Sequence, residues 1–327
     1  MAPSLSVRIE RWPIAGSFTI SRGTKTEAAV VVAEIAGGDH RGRGECVPYA
    51  RYGETLEDVA DAIMAMSSDI SRGLDRLGLQ EAIGPGAARN ALDCALWDLA
   101  AKQRGEPVHR LAGLPTPIPV TTAYTISLAA PELMAAQAEQ VATRPLLKVK
   151  LGAAGDAARI AAVRSAAPHA ELIVDANEGW SADVLSENVA ACAEADVTLI
   201  EQPLPAGCDE VLAGMARPVR ICADESVHAR PSLAALRDKY DAVNIKLDKA
   251  GGLTEALAMA AEAQRLGFVV MVGSMVATSL ATAPAILVAQ RASVVDLDGP
   301  LLLQCDRPHG LRYDGSLVYP ATAALWG

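Results

Sequence analysis

The chain of 327 residues is 51% hydrophobic and carries a formal net charge of −10 at pH 7. One parallel α/β barrel takes roughly 250 residues, so this length predicts a barrel with a second domain or cap. The acidic residues are dispersed, no basic cluster is present and there are only two Phe, which argues against a nucleic acid partner.

The N-terminal segment and the cysteines favour a cytoplasmic protein. Residues 1–12 contain charges where a secretory signal peptide needs an apolar core. The six cysteines are widely spaced and form no CxxC motif, which is typical of free thiols in a reducing compartment. Residues 266–290 lack charges over a length that suggests a membrane span. Their Gly, Pro, Ser and Thr content favours a strand followed by a small-residue helix, so we expect no membrane partner.

The first 115 residues predict a small α+β cap. Residues 6–12 and 27–35 have the composition of strands, and the polar, Gly-rich segment 37–45 separates them from the following region. Between 54 and 105 the apolar residues recur at helical spacing, and the Gly84-Pro85-Gly86 break divides two predicted helices.

A Pro-rich hinge at 111–120 leads into a predicted parallel barrel. Eight apolar segments alternate with Ala-rich helical segments, and eight strands are enough to close a barrel. The eight segments are TTAYTISL, LLKVKLG, LIVDANEG, TLIEQPL, ICADES, AVNIKLDKAGG, VVMVGSM and VVDLDGP. The predicted fold class is α/β, a (β/α) barrel with an N-terminal α+β capping domain. We assign the cap to 1–115, the barrel to 116–303 and a C-terminal segment that returns to the cap to 304–327.

Charged or polar side chains mark the ends of six apolar segments: Lys148-Val149-Lys150, Asp175-Ala176-Asn177, Glu201-Gln202-Pro203, Asp224-Glu225-Ser226, Lys246-Leu247-Asp248 and Asp296-Leu297-Asp298. From Lys150 to Lys246 the successive separations are 25, 26, 23 and 22 residues, the length of one strand, one helix and two turns. Chemistry in parallel barrels gathers at the carboxyl ends of the strands, so we predict one catalytic site there. Residues two apart share one side of a strand, so each pair is expected to face the barrel mouth.

The carboxylates at three consecutive strand ends predict a metal site. Asp175, Glu201 and Asp224 supply only oxygen ligands and have no Cys or His beside them. Such a set suits Mg²⁺ before Ca²⁺ or Zn²⁺. The alternative is that each carboxylate caps the next helix, which is a common role for a single Asp.

Lysines lie on both sides of the predicted metal site, with Lys148 and Lys150 before it and Lys246 after it. A lysine near a second ammonium and a divalent ion is driven towards its neutral form and becomes a usable base. On a surface strand the same lysines would be solvated. If a substrate carboxylate binds the metal, one lysine can remove its α-proton and the other can return a proton to the opposite face. The pattern therefore predicts racemisation or epimerisation.

The motifs KVKLG, LIVDANEGW, EQPLP, ICADES, NIKLDKAGG and DLDGP resemble the enolase superfamily, in the subgroup related to muconate lactonising enzymes. They are most similar to its dipeptide epimerases, which act on L-Ala-D/L-Glu, and the cap segments ECVPYARYGET and GAARNALDCALWDLA share the resemblance. The resemblance implies that Asp175, Glu201 and Asp224 hold Mg²⁺. It also implies that Lys150 serves the L configuration and Lys246 the D configuration as acid/base residues, and that Lys148 contacts the substrate carboxylate.

The same resemblance suggests how a dipeptide is recognised. Asp296 and Asp298 correspond to the pair that holds the α-ammonium of the dipeptide, although a strand end with a turn at Asp-Gly is a simpler interpretation. The loop SFTISRGTKTE is expected to close over the barrel and to supply a cation for the glutamate side chain, and we favour Arg22 over Lys25 because of its fork geometry.

Two hydroxyl residues complete the predicted site. Thr125 and Ser274, at the ends of the first and seventh barrel strands, are placed to hydrogen-bond the substrate, but such residues often only satisfy the backbone.

Together with the residue patterns, the resemblance implies a cytoplasmic, Mg²⁺-dependent epimerase of L-Ala-D/L-Glu dipeptides that serves in the reuse of cell-wall peptides. An epimerase of other dipeptides, an N-acylamino acid racemase or a cycloisomerase of the same subgroup is the first alternative. A non-catalytic metal-dependent binding protein is the second, since a fold does not guarantee chemistry. The small dipeptide is the expected partner, and a homo-oligomer is compatible with the sequence.

Overall fold

The N-terminal part of the protein is an antiparallel sheet of three strands. The computed structural model describes residues 2–327. Strand β1 (Ser4–Ile20) pairs with β2 (Gly23–Gly37), which pairs with β3 (His40–Cys46). The β1–β2 pairing shifts register between Pro13 and Phe18 and continues to Ile20 opposite Gly23. The two long strands therefore form a hairpin that extends beyond the third strand.

Strand β3 corrects the interpretation of 37–45 as a separating segment. A Cβ on Gly42 would lie 2.2 Å from the Ala95 carbonyl oxygen, and one on Gly44 would lie 2.1 Å from the Ala91 carbonyl oxygen. Glycine in this strand therefore lets a helix pack directly against its backbone. The sequence pattern suggested a loop because this segment has glycines, and so no side chains, on the face that the helix covers.

Helices cover the sheet and connect it to the barrel: α1 (Leu56–Ala65), α2 (Ser67–Ser71), α3 (Arg76–Ala82), α4 (Ala87–Arg104) and α5 (Val108–Leu111). The Gly84-Pro85-Gly86 break precedes α4, but the segment before it forms three short helices where one was predicted. Thr55 and Asp75 accept hydrogen bonds from the first-turn amides of α1 and α3, so each of these helices begins at its own cap.

Eight parallel strands form the barrel, and they follow a short strand β4 (Val120–Thr121). In chain order they are β5 (Tyr124–Ile126), β6 (Leu146–Lys150), β7 (Glu171–Asp175), β8 (Val197–Glu201), β9 (Arg220–Ala223), β10 (Ala242–Ile245), β11 (Val269–Gly273) and β12 (Val294–Asp296). Each strand pairs with its sequence neighbours. The Ala123 amide donates to the Val295 carbonyl at 2.8 Å, which joins the first and last strands into a nearly closed barrel. The predicted fold class is confirmed.

The helices outside the barrel are α6 (Pro131–Gln140), α7 (Asp156–Ala166), α8 (Ala182–Glu194), α9 (Arg230–Leu233), α10 (Leu247–Ala250), α11 (Leu253–Arg265) and α12 (Ser279–Ala289). Between β8 and β9 the predicted helix is wrong, because this segment forms only a 3-10 turn, Glu210–Gly214. Pro203, Pro205 and Gly207 lie in that connection and disfavour a regular helix. Other 3-10 turns are Ala50–Tyr52, Ala234–Leu236 and Gly299–Leu302.

The C-terminal segment contacts both the short strand that precedes the barrel and the cap. Strands β13 (Tyr313–Asp314) and β14 (Leu317–Val318) form a small sheet with β4. The Trp326 indole donates to the Cys94 carbonyl at 3.0 Å, and the Gly327 amide donates to Asp98 Oδ1 at 2.8 Å. The last residues therefore pack on α4.

Two structural features bear on the composition arguments. The uncharged segment 266–290 forms β11 and α12, which confirms its interpretation as a strand followed by a helix. Among residues 2–327, none of the helices combines the length and the hydropathy that a bilayer crossing needs.

Four of the cysteines, Cys46, Cys94, Cys192 and Cys222, are buried free thiols.

Candidate active site

The carboxyl ends of the barrel strands bring the predicted carboxylates together. Asp175 and Glu201 are the last residues of β7 and β8 and lie opposite each other in the strand register. Asp224 directly follows β9. All three residues are at most 1% exposed, because apolar side chains such as Ile173 and Leu199 fill the barrel interior beneath them. The regular βα repeat therefore places three carboxylates side by side at the barrel mouth.

Two lysines of β6 contact these carboxylates. Lys150 Nζ donates to Asp175 Oδ2 at 2.6 Å. Lys148 Nζ lies 3.1 Å from Asp175 Oδ2, 2.7 Å from Glu201 Oε2 and 2.6 Å from Asp296 Oδ2. Burial lowers the pKa of Lys148, but Asp296, Glu201 and Asp175 raise that pKa well above its ordinary value. Lys148 is therefore a permanent positive charge among these groups.

The third lysine lies on the other side of the site. Lys246 Nζ donates to Asp224 Oδ2 at 2.6 Å and lies 3.9 Å from Glu201 Oε1. Burial lowers the pKa of Lys246, but Asp224 and Glu201 raise it well above the ordinary value. Among the protein's own groups, carboxylates thus favour the charged lysine, whereas the sequence argument predicted a depressed pKa from a second ammonium and a metal.

Glu201 occupies the centre of the carboxylate row. Asn244 Nδ2 donates to its Oε1 at 2.7 Å, while Oε2 finds no donor in hydrogen-bonding geometry among residues 2–327. Burial raises the pKa of Glu201 to about 7, and the neighbouring charges of Asp175 and Asp224 add to this effect. The Lys148 ammonium lies 2.7 Å from Glu201 Oε2 but makes no hydrogen bond to it, so one oxygen at the centre of the row keeps its hydrogen-bonding capacity.

The carboxylates are not arranged to hold an ion without adjustment. As the side chains stand, residues 2–327 contain no group of three His, Cys, Asp or Glu that could hold a metal ion. Lysine ammonium groups lie against the carboxylates instead. The donor set nevertheless suits a hard divalent cation, since all three groups are carboxylates and one buried oxygen of Glu201 lacks a donor.

Asp296 and Asp298 lie at the end of β12. Asp296 Oδ2 accepts from Lys148, while its buried Oδ1 has no hydrogen-bond partner among residues 2–327. Asp298 Oδ2 accepts from the Thr125 amide at 2.7 Å, and burial together with the charge of Asp296 raises the pKa of Asp298 to about 7. The Ser274 amide donates to the Asp296 carbonyl at 3.1 Å. A pair of acidic groups with one free oxygen is suited to a cation.

Arg22 and Lys25 both lie on the hairpin above the barrel mouth, but their surroundings differ. The Arg22 guanidinium donates to the Asn177 carbonyl at 2.7 Å and to Glu225 Oε1 at 2.6 Å. Lys25 Nζ stands 5.3 Å from the centre of the Tyr49 ring, and its side chain is exposed. Both residues line the cavity, but Arg22 already pairs with two carboxylates of the protein, whereas Lys25 forms no ion pair among residues 2–327.

One cavity of about 960 Å³ is lined by most of these groups, although Asp175 and Glu201 are not part of its wall. Its walls include the lysines Lys148, Lys150 and Lys246, the pair Asp296 and Asp298, the hydroxyl residues Thr125 and Ser274, and Arg22 and Lys25 of the hairpin. Phe18 of the hairpin lies over Lys150, with Nζ 5.6 Å from the ring centre. The sequence-predicted residues other than Asp175 and Glu201 thus line one cavity between the barrel and the cap.

One predicted orientation is wrong. Asp248 was expected to share the mouth-facing side of a strand with Lys246, but it lies in α10 and accepts from the Val47 amide at 3.0 Å and from Asn90 at 2.8 Å. The chain turns into a helix directly after Lys246, so the period-two rule for strands stops applying there. Asp248 joins the barrel to the cap.

Sequence reasoning also missed residues that hold the site together. Lys249 donates to both the side chain and the carbonyl of Asp224, and Asn244 holds Glu201. Both lie in the motif that contains Lys246, and the polar Asn244 within an otherwise apolar strand could have been identified from sequence, whereas Lys249 lies in α10. Glu178 and Glu225 were not assigned a role either, and both contact Arg22.

Two family models match most of the chain. Residues 3–113 match the family described as mandelate racemase / muconate lactonizing enzyme, N-terminal domain. Residues 133–301 match the family described as enolase C-terminal domain-like.

Two curated relatives are 46% identical to the chain. One is the L-Ala-D/L-Glu epimerase of Escherichia coli, aligned over 93% of this chain and 95% of that protein. The other is the N-acetyl-D-glutamate racemase of a Pseudoalteromonas species, aligned over 91% of this chain and 95% of that protein.

Solved structures are also similar to the chain. An enolase family member from Agrobacterium tumefaciens with homology to dipeptide epimerases contains sodium and L-Ala-L-Glu. It is 58% identical, with a TM-score of 0.98 over 99% of this chain and 100% of that one. The dipeptide epimerase of Enterococcus faecalis, in complex with Mg and L-Leu-L-Tyr, is 27% identical, with a TM-score of 0.91 over 99% of each chain.

Proposed function

Because this chain belongs to the mandelate racemase / muconate lactonizing enzyme family of the enolase superfamily, as its motifs predicted, we propose that it is an isomerase that epimerises L-Ala-D/L-Glu dipeptides. The observation that carries the proposal is the placement of Lys150 and Lys246. Both are buried at the barrel mouth, and each donates at 2.6 Å to a different strand-end carboxylate, Asp175 or Asp224. Two lysines on opposite sides of one substrate position are what inversion of a carbon centre requires.

Asp175, Glu201 and Asp224 would hold Mg²⁺. Their oxygen-only donor set supports this assignment, as does the buried Glu201 Oε2, which accepts no hydrogen bond among residues 2–327. The E. faecalis dipeptide epimerase structure contains Mg. When bound, Mg²⁺ supplies positive charge beside the substrate carboxylate, which favours loss of the α-proton.

The lysines perform the proton transfer. One of Lys150 and Lys246 takes the α-proton of the glutamate residue, and the other gives a proton to the opposite face of the same carbon. Lys148, whose pKa is raised by its three carboxylate neighbours, stays protonated and pairs with the substrate carboxylate. Reversal of these roles converts the D-Glu dipeptide to the L-Glu dipeptide.

Asp296 and Asp298 bind the α-ammonium of the dipeptide in this proposal. The buried Oδ1 of Asp296 lacks a donor, and Asp298 retains one carboxylate oxygen beside it. An ammonium group would supply the missing donors. An N-acylated amino acid has no ammonium, so Asp296 Oδ1 would gain no donor and Asp298 would gain no cation.

We expect Asp296→Asn to distinguish a dipeptide epimerase from an N-acylamino acid racemase, the function named for the Pseudoalteromonas relative. Turnover of L-Ala-L-Glu should fall by about 10- to 100-fold, since a hydrogen bond to a charged group contributes about 1.5–3 kcal/mol. Asn keeps an oxygen that can accept from Lys148. Steady-state kinetics with L-Ala-L-Glu and with N-acetyl-D-glutamate measure the difference, and an unchanged rate for the dipeptide favours the racemase.

Lys25 binds the glutamate side chain in this proposal, in place of the favoured Arg22. It lies on the cavity wall and forms no ion pair among residues 2–327, whereas Glu225 and Glu178 pair with Arg22. A cation already bound to two carboxylates has little attraction left for a third. Tyr49 lies below Lys25 and limits its position.

Replacement of Lys25 by Met should lower kcat/KM for L-Ala-L-Glu by about 10- to 100-fold, because the pair with the substrate side chain is lost. Turnover of L-Ala-L-Gln should stay nearly constant, and Lys25→Arg should retain most of the activity with L-Ala-L-Glu. Kinetics with the two dipeptides provide the comparison. An equal loss for both would show that Lys25 does not recognise the side-chain charge.

Proton NMR of L-Ala-L-Glu incubated with the protein and Mg²⁺ in D₂O tests the proposed function. We expect the glutamate α-proton signal to disappear while the alanine α-proton remains, with the second diastereomer appearing. Exchange of the α-proton in N-acetylglutamate but not in the dipeptide would support the proton-transfer reaction and reject the dipeptide as the substrate. No exchange of either compound would reject the proposal. We place the reaction in the cytoplasmic reuse of cell-wall peptides, which contain this dipeptide unit.

A further inference from the structure

The tip of the β1–β2 hairpin, residues 18–25, lies across the barrel mouth, and we refer to it as the lid hairpin. Ser21 Oγ donates to the Asn177 carbonyl at 2.8 Å, and Arg22 Nη1 donates to the same oxygen at 2.7 Å. Thr19 interacts with the loop after β5, because the Leu128 amide donates to its carbonyl at 3.0 Å. The lid hairpin is therefore attached to the ends of the barrel strands.

Arg22 makes more of these contacts than any other side chain described in the lid hairpin. Its Nη2 donates to Glu225 Oε1 at 2.6 Å and to the Tyr49 hydroxyl at 2.8 Å, and its Nη1 reaches Glu178 Oε2 at 3.1 Å. The partners come from the cap and from the loops after β7 and β9. A planar guanidinium with several donors can hold all of them at once, whereas an ammonium cannot.

The backbone beneath the lid hairpin is shaped for this attachment. Asn177 and Glu178 have φ angles of 45° and 65°, the left-handed region that non-Gly residues seldom adopt. A Cβ on Gly152 would lie 2.6 Å from the Ser21 Cβ, so this glycine lets the hairpin approach closely. Strained backbone of this kind persists where the surrounding structure requires it.

Burial makes the Arg22 contacts energetically important. The side chains of Glu225 and Glu178 are 1% and 8% exposed, and that of Arg22 is 27% exposed. Loss of Arg22 would leave the buried Glu225 carboxylate without its ion-pair partner, and removal of one partner from a buried pair is strongly destabilising. The Glu178 pair with Arg51 would remain, because Arg51 lies in the cap and outside the lid hairpin.

We propose that Arg22 is a positioning residue, a latch that holds the lid hairpin across the barrel mouth and thereby places Phe18 over Lys150 and Lys25 at the cavity wall. This inference deepens the proposed function, because it concerns the same site, but the latch itself does not depend on which substrate is bound. Arg22 acts through the hairpin and does not contact the substrate. The latch also explains why a cation so close to the site leaves the substrate side chain to Lys25.

Amide hydrogen exchange of the full chain, followed by mass spectrometry on peptides that cover 16–28, tests the latch without any substrate. We expect Arg22→Ala to speed amide exchange in the lid hairpin by about tenfold. Without the Arg22 contacts, local opening of the hairpin costs less free energy. The matched control is Arg11→Ala in the stem of the same hairpin, where Arg11 pairs with Glu27 and both side chains are about half exposed. In Arg11→Ala the exchange rate of the lid hairpin should change by less than about twofold, since exposed ion pairs contribute little to stability.

Kinetics separate a latch from a substrate cation. Arg22→Ala should lower kcat/KM for both L-Ala-L-Glu and L-Ala-L-Gln, because the lid hairpin covers the site whatever the side chain is. The loss should be larger for L-Ala-L-Glu, because Lys25 moves with the hairpin. Arg22→Lys should give an intermediate exchange rate, and it also provides the comparison if Arg22→Ala does not fold. Unchanged lid exchange in Arg22→Ala, or a loss confined to L-Ala-L-Glu, would overturn the proposal. If the wild-type protein turns over neither dipeptide, the proposed function fails and the exchange experiment alone decides the latch.

Discussion

Lys150→Ala is expected to stop α-proton exchange from the L-Glu dipeptide while part of the exchange from the D-Glu dipeptide survives through Lys246. A positioned general base contributes about 10²- to 10⁴-fold, so the loss from the first configuration should fall in that range. Lys246→Ala should give the reverse pattern. The physical reason is that the two ammonium groups lie on opposite sides of Glu201, because each is hydrogen-bonded to a different carboxylate, Asp175 or Asp224.

Deuterium incorporation at the glutamate α-carbon, followed separately from pure L-Ala-L-Glu and pure L-Ala-D-Glu, measures this asymmetry. Lys102→Ala is a suitable control, since Lys102 lies on α4 and pairs with Asp98 away from the cavity. Asp175 keeps Lys148 at 3.1 Å when Lys150 is removed, so the variant should remain folded. Equal loss from both configurations in both variants would contradict a division of labour between the two lysines.

Glu201→Gln is expected to abolish tight Mg²⁺ binding. Glu201 is the central carboxylate of the row and has an oxygen without a hydrogen-bond donor. Loss of a group that merely orients a ligand costs about 10- to 100-fold in metal affinity, so loss of a direct ligand should cost at least about 100-fold. Isothermal titration calorimetry with Mg²⁺ gives the affinity without reference to turnover.

A second measurement checks the same variant. Mg²⁺ at 100 times its Kd should stabilise the wild-type protein by about 2.7 kcal/mol, and thermal unfolding should show this as a rise in Tm that Glu201→Gln lacks. Glu262→Gln is the matched control, because Glu262 lies on α11 and pairs only with Arg265 of the same helix among the described residues. Unchanged Mg²⁺ affinity in Glu201→Gln would mean that this carboxylate is not a ligand.

The barrel and the positions of its strand-end residues were predictable from sequence. Each βα unit has nearly the same length, and the carboxyl ends of parallel strands all meet at one side of a barrel. Spacing alone therefore indicated that Asp175, Glu201 and Asp224 lie together, with lysines on either side. Their roles as metal ligands and acid/base groups stay predictions until the experiments above are done.

The cap was harder to predict because its stability depends on contacts between distant segments. Strand β3 has glycines where a side chain would collide with α4, so its local pattern indicated a loop. Asp248 follows a strand, but its side chain is held by Val47 of the cap, 201 residues away in the sequence. Local periodicity carries no information about such a contact.

The sequence by itself determined the family through the resemblance of its motifs. It also determined the α/β barrel and the set of charged residues at its mouth, because these depend on strand length and side-chain alternation within each segment. Only the tertiary structure decided which charges neutralise one another. Arg22 and Glu225 are 203 residues apart, and their pairing at 2.6 Å leaves Lys25 as the cation of the lid hairpin that has no ion-pair partner among residues 2–327. An ion pair depends on distance and burial in space, and these are established only when the cap folds onto the barrel.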